Sequence, residues 1–76
     1  MRKHSVIIAG HATSITLEDE FWHALKLTAH KQEKSLSRII EDIDQKRSEN
    51  NLSSAIRLYV LRSLQEELIA LQSHPE

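Results

Sequence analysis

The seven residues HATSITL, at positions 11–17, determine the fold that this chain is expected to adopt. Read with a period of two, one side of this stretch is mostly apolar and the other is small and polar, which predicts a strand with one buried face. The apolar side consists of Thr13, Ile15 and Leu17, and the small polar side consists of Ala12, Ser14 and Thr16. Because the backbone groups of a strand need partners, we expect a second strand, supplied by a second copy of the chain.

The residues before HATSITL leave two arrangements open. The run SVIIA at 5–9 is rich in β-branched residues, and Gly10 is the only glycine of the chain. With Gly10 and His11 as a two-residue turn, the run would fold back as a hairpin, whereas with Gly10 as a bulge or kink the strand would continue through it. We favour a single long or kinked strand over about 5–17.

The length and the charge of the chain limit its architecture. With 76 residues we expect one domain over 1–71 and a flexible tail at 72–76. So short a chain buries only about 60% of its unfolded surface, which favours a dimer. Ten Lys and Arg residues against eleven Asp and Glu give a net charge of −1, but residues 1–40 hold six basic and four acidic side chains. Any basic surface therefore belongs to the N-terminal half.

Several classes of function are disfavoured by residues that the chain lacks. It has no cysteine, which fits a reducing compartment, and we expect it in the cytoplasm, with no membrane association because no apolar run approaches a membrane span. There is no glycine-rich phosphate loop and no credible nucleophile with a base, so we do not expect an enzyme. His23 and His30 follow Asp19 on one predicted helix, but two ligands on a helix do not make a metal site, and we expect no metal or cofactor.

From residue 18 onward the apolar spacing changes to three and four, which predicts helices. The predicted helices span about 18–33, 36–47 and 52–71. The third carries a wide apolar stripe that includes Leu64 and Leu68, which we expect to be buried within a dimer.

Side chains able to cap each predicted helix lie at its start. The candidates are Thr16 with Asp19 in a capping box for the first helix, Ser35 or Ser37 for the second, and Asn51 or Ser53 for the third. Glu33 and Lys34 occupy the turn between the first two helices. If that turn needs a left-handed residue, Lys34 would bear about 1 kcal/mol of strain.

The segments HATSITLEDEFWHAL, SLSRIIEDID and NLSSAIRLYVL together resemble the ribbon-helix-helix family of bacterial DNA-binding proteins, in particular a branch of short members with an extra C-terminal helix. The resemblance covers about residues 5–65. It implies a mainly α chain with one N-terminal strand, β-α-α plus a third helix, in an intertwined homodimer whose two strands form an antiparallel ribbon that enters the DNA major groove. Alternatively, NLSSAIRLYVL is the second helix of the family's unit and SLSRIIEDID precedes it as an insertion; the connection length favours SLSRII.

The resemblance also assigns roles to residues. Ala12, Ser14 and Thr16 would face the bases; the family commonly has a long polar or basic residue at the first position, so Ala12 leaves specificity to thymine methyl contacts, DNA shape or the N-terminal arm. Contacts to the DNA backbone are predicted for Arg2, Lys3, His11, Ser35, Ser37 and Arg38, the last three at a helix N-terminus. The predicted dimer core consists of Ile15, Leu17, Phe21, Trp22, Leu25, Leu36, Ile39, Ile40 and Ile43.

The sequence thus predicts a homodimeric protein that binds double-stranded DNA, a small transcriptional repressor or autoregulator. Two other functions stay open. One is a protein-interaction module, such as an antitoxin-like or adaptor dimer, that binds a protein partner through the helix at 52–71. The other is a structural dimer without DNA binding, which the near-neutral charge and Ala12 would fit.

Overall fold

The computed structural model describes residues 1–47 and 51–72. Two strands, β1 (Arg2–Ile8) and β2 (His11–Leu17), form an antiparallel ribbon that is followed by three helices, α1 (Asp19–Lys31), α2 (Leu36–Lys46) and α3 (Leu52–Gln72). This order matches the predicted class, a ribbon-helix-helix unit with an extra helix. The tail predicted at 72–76 lies outside the described residues, apart from Gln72, which ends α3.

The ribbon is a hairpin within one chain, so the single long strand that we favoured over 5–17 is wrong. Ile8 and His11 face each other across a two-residue turn. The turn residues are Ala9 and Gly10, with φ values of 51° and 81°, as a type I′ turn requires. Because β1 supplies the partner strand for β2, the unpaired strand no longer argues for a second copy of the chain.

One core lies between the inner face of the hairpin and the three helices. Its buried side chains are Val6, Ile15, Leu17, Leu25, Ala29, Ile39, Ile40, Ile43, Ile56 and Val60. Six of the nine residues predicted for a dimer core are buried within this single chain, and Phe21, Trp22 and Leu36 are partly buried against it. Their burial does not require a partner, and a part in a dimer core stays a prediction.

The helices α2 and α3 begin with side-chain caps at two of the predicted residues. Ser35 Oγ accepts a hydrogen bond from the Arg38 N–H at 3.1 Å at the start of α2. Asn51 Oδ1 accepts from the Ser54 N–H at 2.8 Å at the start of α3. Each cap satisfies one of the backbone donors that a helix N-terminus leaves unpaired.

The capping box predicted for α1 is wrong. Thr16 belongs to β2, and Glu18 takes the N-cap position without a side-chain cap. The Asp19 carboxylate instead forms an ion pair with Arg2, with 3.5 Å between Nε and Oδ1. Because β2 is extended as far as Leu17, the Thr16 side chain cannot turn back onto the helix that begins at Asp19.

The turn between α1 and α2 does contain a left-handed residue, but it is Glu33, with φ 55°, and not Lys34. The Glu33 N–H donates to the His30 carbonyl and the Lys34 N–H to the Ala29 carbonyl, at 3.1 and 3.0 Å. This pair of bonds is the Schellman arrangement, whose left-handed position usually holds glycine.

Candidate nucleic-acid interface

The hairpin has one buried and one exposed face. Val6, Ile15 and Leu17 reach the core from the buried face. The exposed face, which we call the ribbon face, consists of Lys3, Ser5 and Ile7 of β1 and Ala12, Ser14 and Thr16 of β2. Across the strands Lys3 pairs with Thr16, Ser5 with Ser14, and Ile7 with Ala12. The three residues predicted to face bases therefore share one solvent-exposed surface.

Two residues of the ribbon face were absent from the predicted site. The sequence pattern predicts a DNA-backbone contact for Lys3, as part of an N-terminal arm, and no role for Ser5 or Ile7. The signal that identifies them is the same period of two, since Val6 is buried between the exposed Ser5 and Ile7. Ile7 is 60% exposed and places an apolar side chain among the polar ones.

The turn fixes which backbone groups are bonded within the hairpin. Ile8 and His11 flank the two-residue turn and exchange backbone hydrogen bonds with each other. Along an antiparallel pair, such bonded pairs alternate with non-bonded pairs, whose N–H and C=O groups point outward from the two edges of the hairpin. The ribbon-face residues all belong to non-bonded pairs, so their backbone groups point outward. The Thr16 carbonyl accepts from Ser53 Oγ at 2.9 Å. The outward groups of Ala12 and Ser14 receive no such bond from the described residues, so this edge of β2 is available to another strand.

The N-terminus of α2 lies beside the edge of β1. A shallow groove bordered by Ser5, Ile7, Leu36 and Ser37 joins the two elements. Free N–H groups and the positive end of the helix dipole make the first turn of a helix suitable for an anion. Of the contact residues predicted at this helix start, Ser37 therefore borders the ribbon face.

The cations around the ribbon face differ in their partners. Arg2 is paired with Asp19, and Arg38 is paired with Asp42 at 3.4 Å. Lys3 forms no ion pair with any described residue. Exposed pairs contribute only about 0–1 kcal/mol, so Arg2 and Arg38 could exchange a carboxylate for a phosphate at little cost.

The tip of the hairpin is less suited to a phosphate. His11 is exposed there, but the neighbouring Ala9 N–H donates to Glu41 Oε1 at 3.2 Å. This contact brings a carboxylate to the tip, and its negative charge opposes a phosphate near His11.

Two contacts hold the hairpin against the helices. Trp22, predicted in a dimer core, stacks on His4 of β1, with ring centroids 3.8 Å apart and planes at 9°. Directly after β2, Glu18 Oε1 accepts a hydrogen bond from Arg57 of α3 at 2.8 Å. This hydrogen bond holds the pKa of the Glu18 carboxyl below its ordinary value. The hairpin is thus fixed to α1 and α3, which leaves the ribbon face exposed.

The described residues form neither a metal-binding cluster nor a membrane-spanning helix. No three His, Asp or Glu side chains at 1–47 and 51–72 are arranged to hold a metal ion, and His23 and His30 are exposed on α1. In the same part of the chain, no helix has the length and apolar character needed to cross a membrane.

Comparison with known proteins identifies the family. The model of the ribbon-helix-helix domain matches residues 1–64. No curated protein and no solved structure matches the chain significantly. Ribbon-helix-helix proteins are typically DNA-binding transcription regulators or antitoxins, a nonenzymatic fold, and they usually form dimers that bind DNA. Since the match includes the hairpin, α1, α2 and α3 as far as Leu64, the chain belongs to the ribbon-helix-helix family.

Proposed function

We propose that the protein is a homodimeric DNA-binding protein, a small transcriptional repressor or autoregulator that presents the ribbon face to the major groove. The observation that carries this proposal is the exposed face of small and polar side chains, bordered by the N-terminus of α2. Short side chains bring a strand backbone close to the base edges. Ser14 and Thr16 have hydroxyl groups for those edges, and Ala12 has a methyl group for thymine.

The dimensions of the hairpin support a particular way of docking. Neighbouring strands lie about 4.8 Å apart, so four strands joined through two β2 edges would span about 14 Å. The major groove is only about 12 Å wide. The two β2 strands would therefore enter the groove, and the β1 strands would lie over its walls. Lys3, which lies on the ribbon face of β1, would then contact the phosphates.

The first turn of α2 supplies a second phosphate contact in this proposal. Ser35, Ser37 and Arg38 combine hydroxyl donors, a positive charge and free N–H groups at one helix end. Such contacts carry no sequence information, but they fix the orientation of the ribbon on the duplex. Ser35 can still donate its hydroxyl hydrogen while its oxygen accepts from the Arg38 N–H.

Fluorescence anisotropy with a labelled random-sequence duplex at low salt tests the proposal. We expect binding at least as tight as that of non-specific binders, for which Kd is about 10⁻⁴ to 10⁻⁶ M. The complex should contain an even number of chains when its mass is measured by sedimentation. No binding at tens of micromolar protein would contradict the proposal.

A matched pair of variants separates the α2 contact from general charge. Arg38→Ala should weaken binding to every duplex and lower the slope of log Kd against log salt by about 0.9 for each phosphate that the variant no longer binds. Arg62→Ala removes the same charge from an exposed position on α3 and should leave the slope unchanged. A slope that Arg38→Ala does not alter would count against a phosphate contact at α2.

Base contacts have a different signature. Ser14→Ala and Thr16→Ala should lower the affinity for a duplex selected from a random pool, and they should leave the affinity for random duplexes nearly unchanged. Equal decreases in affinity for both kinds of duplex would mean that these side chains do not read bases.

A protein-interaction role, as an antitoxin-like or adaptor dimer, is the second candidate. It is favoured by the exposed leucines in the C-terminal half of α3. Under this alternative, random duplex DNA would not bind, and replacing these leucines would abolish the binding of a protein partner.

A further inference from the structure

The C-terminal half of α3 has leucines that the chain does not bury. Only Ile56 and Val60 of this helix enter the core. Leu61, Leu64, Leu68 and Leu71 are 48%, 52%, 55% and 75% exposed. The apolar stripe predicted for burial is thus buried only along the first half of the helix.

These four leucines, which we call the leucine seam, follow the spacing of a coiled coil. They recur at intervals of three, four and three residues, the a and d positions of two heptads. The seam lies beside the face that contacts α1, because Glu67 on that face is paired with Lys31 at 2.5 Å. The leucine seam is therefore exposed to solvent while α3 remains packed against α1.

The seam extends past the part of the chain that the family shares. The family match ends at residue 64, whereas α3 continues to Gln72. A helix of 21 residues is about 31 Å long, and the described chain measures 48 by 24 by 23 Å. The exposure of the residues at 64–72 agrees with a helix end that projects beyond the core.

The side chains that flank the seam favour an identical helix as its partner. The e positions are Gln65 and Gln72, which are neutral. The g positions are Val60, which is buried, and Glu67, whose charge is compensated by Lys31. Two copies can therefore meet along the seam without the like-charge repulsion that flanking charges would cause.

The N-terminal limit of the seam is also defined. The preceding d position holds Arg57, whose side chain is engaged with Glu18 inside the chain. A lipid surface is disfavoured, since residues 61–72 include Glu66 and Glu67 but only one basic residue, Arg62. We propose that the leucine seam joins two copies of the chain as a short two-helix coiled coil.

This self-association does not depend on DNA binding, and it is distinct from pairing through the β2 edge. Ser14→Pro provides a background in which only the seam can act. The Ser14 N–H points away from the hairpin, so proline keeps the intrachain ladder and blocks an added strand. Sedimentation equilibrium on the full chain then measures association through α3.

In the Ser14→Pro background we expect the average mass to rise above the 8.8 kDa of one chain as the concentration increases. Adding Leu64→Glu with Leu68→Glu should raise the dissociation constant at least tenfold. Arg62→Glu, which makes the same change in net charge on another face of α3, should leave that constant within a factor of two. Far-UV circular dichroism checks that all the variants keep their helices.

Two results would overturn the proposal. One is a Ser14→Pro chain that remains monomeric at all concentrations, which would leave the seam to a different protein. The other is association that the leucine substitutions do not weaken. Failure of the β2 edge to pair would be visible separately, as equal masses for the wild-type and Ser14→Pro chains.

Discussion

Arg2 and Lys3 are adjacent cations on opposite faces of β1, and they provide a sharp test of where DNA lies. Lys3 is on the ribbon face and forms no ion pair with the described residues, whereas Arg2 points to the other side and pairs with Asp19. If DNA contacts the ribbon face, Lys3→Ala should weaken binding more than Arg2→Ala. The two substitutions remove the same charge, so net charge alone predicts equal effects.

The expected difference follows from counterion release. Each phosphate contact contributes about 0.9 to the slope of log Kd against log salt, and a dimer has two copies of Lys3. Lys3→Ala should therefore lower the slope by about 1.8. Between 50 and 200 mM salt, the wild-type protein should lose about 12-fold more affinity than this variant. Arg2→Ala should change the slope by less than about half of the change expected for Lys3→Ala. The reason is that the Arg2 guanidinium would have to leave Asp19 to reach a phosphate.

Anisotropy titrations of one duplex at four or more salt concentrations measure these slopes. Circular dichroism of the free variants confirms that the hairpin and helices persist. Equal changes in slope for the two variants would mean that the protein acts through its overall charge. A larger change for Arg2→Ala would place the DNA on the α1 side of the hairpin and refute the role of the ribbon face.

Three further predictions concern stability. Glu33→Gly should relieve the left-handed backbone and raise the free energy of unfolding by about 0.5–1 kcal/mol, seen as a higher melting temperature by about 2–8 °C; an unchanged or lower value would argue against the Schellman turn. Ala9→Asn should raise the free energy of unfolding by a similar amount in thermal melts, because Asn-Gly is favoured in a type I′ turn. If the strand instead ran straight through this position, the substitution would not stabilise the protein. Arg57→Gln should lower the free energy of unfolding near pH 7, because Glu18 stabilises the fold through Arg57 only while its carboxyl is ionised. In urea titrations, the difference from wild type should fade as the pH falls from the ordinary carboxyl pKa of 4.5 through the lowered pKa of the folded state. A difference that does not depend on pH would contradict this role of Glu18.

The helices could be predicted because local rules determine them. The predicted starts lie within one residue of those of α1, α2 and α3. Apolar spacing locates each helix, and Ser35 and Asn51 mark two of the starts by capping them. The cap predicted for α1 is wrong because Thr16 lies within β2.

The hairpin could not be distinguished from a single long strand because its turn lacks a strong sequence signal. Type I′ turns favour Asn-Gly or Asp-Gly, whereas Ala9 adopts a left-handed conformation that alanine seldom takes. One glycine fits a bulge as well as a turn. The stacking of His4 on Trp22, which holds β1 against α1, is a tertiary contact that no periodicity reveals.

The sequence predicts which residues of β2 share the exposed face better than it predicts which charged side chains near that face are already paired. Alternation places Ala12, Ser14 and Thr16 on one face wherever the strand lies. It does not tell which nearby cations are already paired. The Arg2 and Asp19 pair joins residues that are far apart in the sequence and meet only because the hairpin ends beside α1. Likewise, the stripe of α3 does not indicate that its burial stops after Val60.

The most direct test of the ribbon face as the DNA-binding surface is nuclear magnetic resonance of ¹⁵N-labelled protein titrated with duplex DNA. We predict that amide shifts concentrate at Lys3, Ser5, Ser14 and Thr16 and at Ser37 of α2, with the signals at 61–72 of α3 unchanged. Shifts confined to α3, with the ribbon-face amides unmoved at saturation, would contradict the proposed function.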